Sequence, residues 1–168
     1  MQYTLRCILD VEENVIRDIS LQKDSTLQNL HEALVQFFEL PKGEMASFYR
    51  TNDNWEQGEE ITLVDMSDAG LNNEMKDHKL SDIFKMEDNK LLYVYDFLIM
   101  WTIFITLHKT SDKKSSNLPC LGFSIGILPE EAPVKTFISD DFSNAFDNEI
   151  NPNFDDNFDF DEDLNSYY

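Results

Sequence analysis

Asp96 is a carboxylate set inside the most apolar stretch of the chain, Leu91 to Leu107, with Tyr93 and Tyr95 before it and Trp101 after it. A carboxyl enclosed by aromatic rings is a candidate general acid or base, because removal from water changes how tightly it holds its proton. The competing reading is a hydrogen-bonded structural Asp at the end of a strand. No second carboxylate, histidine or nucleophile is fixed near Asp96 by sequence spacing, and catalysis needs such a partner. An enzyme centred on Asp96, Trp101, Tyr93 and Tyr95 is therefore carried as the alternative, and no catalytic residue is assigned.

The remaining chemistry-bearing residues point to no cofactor. His31 follows Leu30 beside a helical apolar stripe and has no ligand partner four residues on, so it reads as a half-buried helix histidine. His78 and His108 read as isolated solvated residues. Cys7 and Cys120 are far apart with no C-x-x-C, which indicates neither a disulfide framework nor a thiolate metal site, and Cys120 reads as a packed small hydrophobe. Asp159, Asp161 and Asp163 alternate as calcium ligands do, without the glycine at position six or the glutamate at position twelve of such a loop. The sequence holds no P-loop, G-x-G-x-x-G, G-x-S-x-G or H-E-x-x-H.

The elements that position these residues follow from periodicity. Tyr3, Leu5, Cys7, Leu9 and Val11 alternate with polar residues as a half-buried strand does, Glu12 to Asn14 make a turn, and Val15, Arg17, Ile19 and Leu21 continue as the second arm of a hairpin. Ser25 and Gln28 have the spacing of a capping box, followed by Leu27, Leu30, Leu34, Phe37 and Phe38 at helical spacing up to Leu40-Pro41. Ser47 to Arg50 and Ile61 to Leu63 read as short strands, 65 to 79 as a solvated loop, and Leu80 to Phe84 as a helical turn. Leu91 to Leu107 contains an acid at its middle and many strand formers, so it reads as two central strands, 91 to 97 and 101 to 107, rather than as a membrane span. The joint between them, Leu98-Ile99-Met100, is apolar where turns are ordinarily polar.

The chain has 168 residues and a formal net charge of -20, which fits one domain with an appendage. Ten acids and no Lys or Arg fall in 139 to 168, placing the boundary near residue 138 between a mixed-charge domain, 1 to 138, and an acidic, Phe-rich, disordered tail. Such a charge repels phosphate, which argues against direct nucleic-acid binding and against an anionic membrane surface. The N-terminal residues carry no basic, apolar export pattern, so a cytoplasmic protein with reduced thiols is expected.

Val15-Ile16-Arg17 with Ile19, Leu30-His31, Phe48, Leu80-Ser81-Asp82, Tyr93-Val94-Tyr95-Asp96-Phe97 with Trp101, and Pro119, Cys120 and Gly122 occur in an order that resembles the plasmid pRiA4b Orf-3-like family. That family also carries the label of an insertion-element passenger protein of the TnpR type. The resemblance covers about residues 3 to 133. It implies an α+β domain with a ubiquitin-like, β-grasp-type mixed sheet packed on one main helix, and a link to mobile elements. Family members often have Gly and Asp where this chain has Leu98 and Ile99, a His where it has Ile103, and a His-x-His where it has Glu44 and Ala46. Sites built from those groups are therefore lost here. A serine recombinase needs Arg residues around its nucleophile, and no Arg follows Arg50.

The function expected from these residues is a non-enzymatic cytoplasmic protein-protein interaction module. Its candidate contacts are Leu98, Ile99, Met100 and Trp101 at the apolar joint, and Phe154, Phe158 and Phe160 in the acidic tail. The expected partner is a protein with a basic surface, and self-association is a second use of the same joint. A DNA mimic that occupies a nucleic-acid-binding protein is the other alternative, besides the enzyme centred on Asp96.

Overall fold

Alternation in the first residues produces a strand with one buried side, β1 (Gln2–Leu9), on which Tyr3, Leu5, Cys7 and Leu9 are buried. The computed structural model describes residues 1–66, 73–85, 90–112 and 117–130, and all of them fall in one compact unit, Met1–Lys135. Val11, expected to extend β1, lies in the turn instead, because the Leu9 N–H already bonds the Val15 carbonyl at 3.0 Å and closes the hairpin. β2 (Ile16–Gln22) returns antiparallel, with Leu5 opposite Ile19 and Cys7 opposite Arg17.

The helix α1 (Leu27–Phe37) follows, capped one residue later than expected. Thr26 accepts the Asn29 N–H at 3.3 Å while the Asn29 side chain accepts the Thr26 N–H at 3.0 Å. Ser25 is unavailable because its N–H bonds Gln22 and its carbonyl accepts Leu80 N–H, which leaves Thr26 as the first extended residue with free cap geometry. Leu27, Leu30, Ala33 and Leu34 form the buried stripe.

β3 (Ala46–Thr51), β4 (Gln57–Thr62), a 3-10 turn (Met75–Asp77), α2 (Leu80–Ile83), β5 (Lys90–Tyr95), β6 (Trp101–Ser111) and β7 (Cys120–Ile125) complete the described chain. Two expectations for 65 to 79 are corrected. Met75 is a core residue within that supposedly solvated loop, its apolar signal hidden among polar neighbours, and His78 is half-buried with Nε2 bonded to Asn73 Oδ1 at 2.8 Å. The stretch from Leu91 to Leu107 forms β5 and most of β6, and no helix among the described residues is long and apolar enough to cross a membrane.

The fold is α+β and dominated by a seven-stranded sheet in the order β4-β3-β5-β6-β1-β2-β7, with two helices among the described residues. Where the resemblance implies a mixed sheet, every described ladder is antiparallel, because β5 and β6 form a hairpin in which β6 lies directly between β5 and β1. The core lies between α1 and one sheet face, which contributes Leu5, Cys7, Leu9, Phe48, Leu91, Tyr93, Ile103 and Ile105. The expected tail, 139 to 168, lies outside the described residues.

Arg17 points into the helix side of β2 and is buried. Its Nε donates to the Phe37 carbonyl at 3.1 Å, Nη1 to the Ile16 and Ile125 carbonyls at 2.9 and 2.6 Å, and Nη2 to the Gly126 carbonyl at 3.0 Å. The guanidinium also lies 5.2 Å from the centre of the Phe38 ring. One side chain thus ties β2 to the end of α1 and to the end of β7. Gly126, at φ +74°, is required there, since a Cβ would sit 2.2 Å from the Asn14 carbonyl oxygen. Arg17→Lys keeps the charge but cannot fork to four carbonyls, so urea unfolding should show a loss of about 3 kcal/mol. A loss under about 1 kcal/mol would contradict the clamp.

Candidate docking groove at the hairpin tip

The β5–β6 turn is built by Asp96. Its backbone is left-handed, φ +57°, its N–H bonds the Met45 carbonyl at 2.8 Å, and its carbonyl accepts Ile99 and Met100 N–H at 3.1 and 2.6 Å. Its Oδ1 accepts the Leu98 and Ile99 N–H groups at 3.0 and 3.3 Å. This is a carboxylate closing a turn around its own backbone, a role Asp fills because it tolerates the left-handed region and caps nearby amides. Met100, at φ +64°, completes the reversal. The acid that attracted a catalytic reading is therefore engaged by the turn.

That turn lifts apolar side chains into solvent. Leu98 is 95% exposed, Ile99 46% and Phe97 43%, whereas Met100 is half-buried. Trp101, expected with them as a contact residue, is 5% exposed, because it begins β6 on the core face opposite Tyr95. Phe154, Phe158 and Phe160 lie outside the described residues.

Beside the tip lies a groove of about 500 Å³. Three segments form its walls: Ile99 and Trp101 at the tip, Glu39 and Pro41 after α1, and, third, Ile127, Leu128, Pro129 and Glu130 after β7. Leu128 is half-buried against the core while Ile127 is 86% exposed. The third wall follows from the Arg17 clamp and the Gly126 turn, which fix where the chain leaves β7. The sequence reading missed this wall and Pro41. The visible signal was Gly126 followed by Ile127-Leu128-Pro129, an apolar run leaving a strand end.

A larger cavity, about 710 Å³, is lined by His31, Glu32, Val35, Gln36 and Tyr95 among others and shares Glu39 with the groove. His31 Nδ1 and the Tyr93 hydroxyl are 2.8 Å apart. Burial lowers the His31 pKa below its ordinary value, against a smaller opposing effect of Glu32, and burial pushes the Tyr93 phenol up. The hydrogen bond ties α1 to β5. The Tyr95 hydroxyl donates to the Pro41 carbonyl and accepts the Glu44 N–H at 3.4 Å, which pins the loop between the two cavities. Among the described residues no group of three or more His, Cys, Asp or Glu is placed to hold a metal ion.

The sequence pattern of the plasmid pRiA4b ORF-3-like proteins matches residues 2–159. The chain belongs to that family. The match is wider than the motifs at 3 to 133 and takes in most of the acidic segment, including Phe154 and Phe158. A protein of unknown function from Methanosarcina mazei Go1 has a similar fold, with a TM-score of 0.63 and 24% identity over 73% of this chain and 68% of that one. Comparison with curated proteins finds no relative. Within this pRiA4b ORF-3-like protein the groove depends on two anchors: Arg17 holds the end of β7, from which the third wall leaves, and Asp96 closes the turn that carries Ile99.

The depressed His31 pKa has a consequence for stability. The unfolded chain takes up a proton near the ordinary histidine value of about 6.5, which folded His31 resists, so stability is full above that pH and falls as pH drops through it. Urea unfolding of the parent and of His31→Gln between pH 7.5 and 5.5 measures this, the parent losing more stability on acidification than the variant. Parallel curves would contradict it.

Proposed function

We propose that this family member is a non-enzymatic cytoplasmic protein-protein interaction module that captures a partner at the hairpin tip and its groove. The observation that supports this most is Leu98, almost wholly exposed at a turn whose backbone is rigidly closed by Asp96. A fixed apolar knob beside an apolar groove is the arrangement by which one protein anchors another. Glu39 and Glu130 at the groove, in a chain of net charge -20, favour a partner whose apolar anchor is flanked by Lys or Arg. Covering Phe97, Leu98 and Ile99 contributes on the order of 3 to 5 kcal/mol before ordering costs, a weak contact that flanking charge must strengthen.

The sheet supports a finer structural reading of the same module. If β6 and β7 were removed, the order would be β2-β1-β5-β3-β4 with β1 and β5 running in one direction, which is a β-grasp-type arrangement. We read the domain as that arrangement enlarged by β6 in its middle and β7 at its β2 edge. The insertion creates the β5–β6 turn, and hence the tip.

A photo-cross-linking residue at Leu98 of the full chain in its native cell should give a discrete adduct that the same residue at Lys109, exposed at the far end of β6, does not. The purified adduct partner should then bind Leu98→Gly/Ile99→Asp at least about tenfold more weakly, a difference of about 1.4 kcal/mol. The variant's melting temperature should stay with the parent's, and binding should weaken with salt. Equal adducts at both positions, or unchanged affinity, would remove the tip from the function.

A further inference from the structure

The two edges of the sheet are treated differently. β4 carries Glu59 and Glu60 on an exposed edge, with Glu56 just before it, and Arg50 pairs with Glu59 at 3.0 Å. Charged edge strands are how proteins prevent further strand pairing. β7 carries nothing of the kind. From 115 to 129 there is no Asp, Glu, Lys, Arg or His, in a chain of which 27% is charged. Leu121, Phe123 and Ile125 are exposed at 38%, 52% and 46%, and β7 pairs with β2 on one side and with no other described strand. The apolar surface continues inward from this edge, since Ile125 pairs with Ile16, Ile16 with Ile8, and Ile8 with Phe104 along one cross-strand row.

We propose that β7 is a self-association edge, pairing antiparallel with β7 of a second copy of this chain. Charge selects this occupant. Two chains of -20 repel wherever their acids meet, so a copy can approach closely along a surface without acids, and β7 is the sheet edge that lacks them. The strip offers a basic partner no carboxylate of its own, and the acid beside it, Asp18 on β2, is held at 2.8 Å by Arg6, whose guanidinium lies 6.0 Å from the centre of the Phe123 ring. An antiparallel edge-to-edge pair maps onto itself under a two-fold rotation, so one strand supplies both halves of the contact and both sheets continue across it. Apolar side chains of the row then meet their counterparts next to the new ladder.

The chain leaving β7 also lines the docking groove, and the variants keep the two tests distinct, because Phe123 and Ser124 are not among the groove residues and Leu98 and Ile99 are not in β7. Sedimentation of the full chain over a range of concentrations should show a species of twice the 19.6 kDa mass. The dimer should tighten as salt rises, because screening removes the repulsion between copies, opposite to the salt response of a basic partner at the tip. Phe123→Lys and Ser124→Pro should each weaken it at least tenfold, while Leu98→Gly/Ile99→Asp leaves it unchanged. Amide exchange at Cys120 to Ile125 should slow with concentration in the parent and not in Phe123→Lys, a readout that stands even if Ser124→Pro fails to fold. A monomer at every concentration and salt overturns the proposal. So does protection of these amides independent of concentration, which would mean that another part of the same chain occupies the edge. A dimer lost with the tip variant instead also overturns it.

Discussion

Four backbone carbonyls converge on the Arg17 guanidinium, and the geometry of the candidate site depends on that convergence. The last turn of a helix leaves carbonyls without partners and carries partial negative charge. α1 has no basic residue of its own in that turn, so β2 supplies the charge from outside the helix. The same side chain holds the end of β7, where a Cβ at Gly126 would collide with the Asn14 carbonyl. A buried guanidinium is costly to desolvate, and it is tolerated here because its donors reach carbonyls and its face lies near the Phe38 ring. The β1–β2 hairpin, helix end and seventh strand are thereby fixed as one corner of the domain.

From that corner the chain runs out as Ile127 to Glu130 and lines one groove together with Pro41 and with Ile99 and Trp101 of the β5–β6 tip. The tip itself is held by a separate device, the left-handed Asp96 whose carboxylate closes the turn, and the loop between them by the Tyr95 hydroxyl on Pro41. Three independent anchors therefore define one apolar groove. Electrostatics adds a second layer. Acids at Glu39 and Glu130 suit the groove to a basic partner, while the uncharged strip along β7 suits contact with a like-charged copy.

Much of the sheet was legible because alternation reports a face directly. β1, β2, β5 and β6 occur where the pattern puts strands, although β1 ends at Leu9 and β5 at Tyr95, each short of the expected end because Val11 and Asp96 belong to turns, and β6 runs on to Ser111. The helix cap was off by one because Ser25 and Thr26 are chemically equivalent caps, and the choice is made by the contact of Ser25 with Leu80. Met75 was hidden because a single buried residue in a polar segment has no period. Trp101 was grouped with the exposed tip, yet one residue decides which face of a strand a side chain takes, and it falls on the core side. The groove's third wall was not legible at all. It depends on where Gly126 directs the chain, and that is set by Arg17, 109 positions away.

The dependence of the groove on Arg17 can be measured directly by amide hydrogen exchange in the full-length Arg17→Lys variant, under conditions where it remains folded. If Arg17 fixes the groove, protection falls together at the end of α1, at Phe37 and Phe38, and along the Ile16–Ile125 ladder, and the methyl resonances of Ile127 and Leu128 shift with it. Loss confined to β2, with the helix end protected and the Ile127 and Leu128 methyls placed as in the parent, would contradict it.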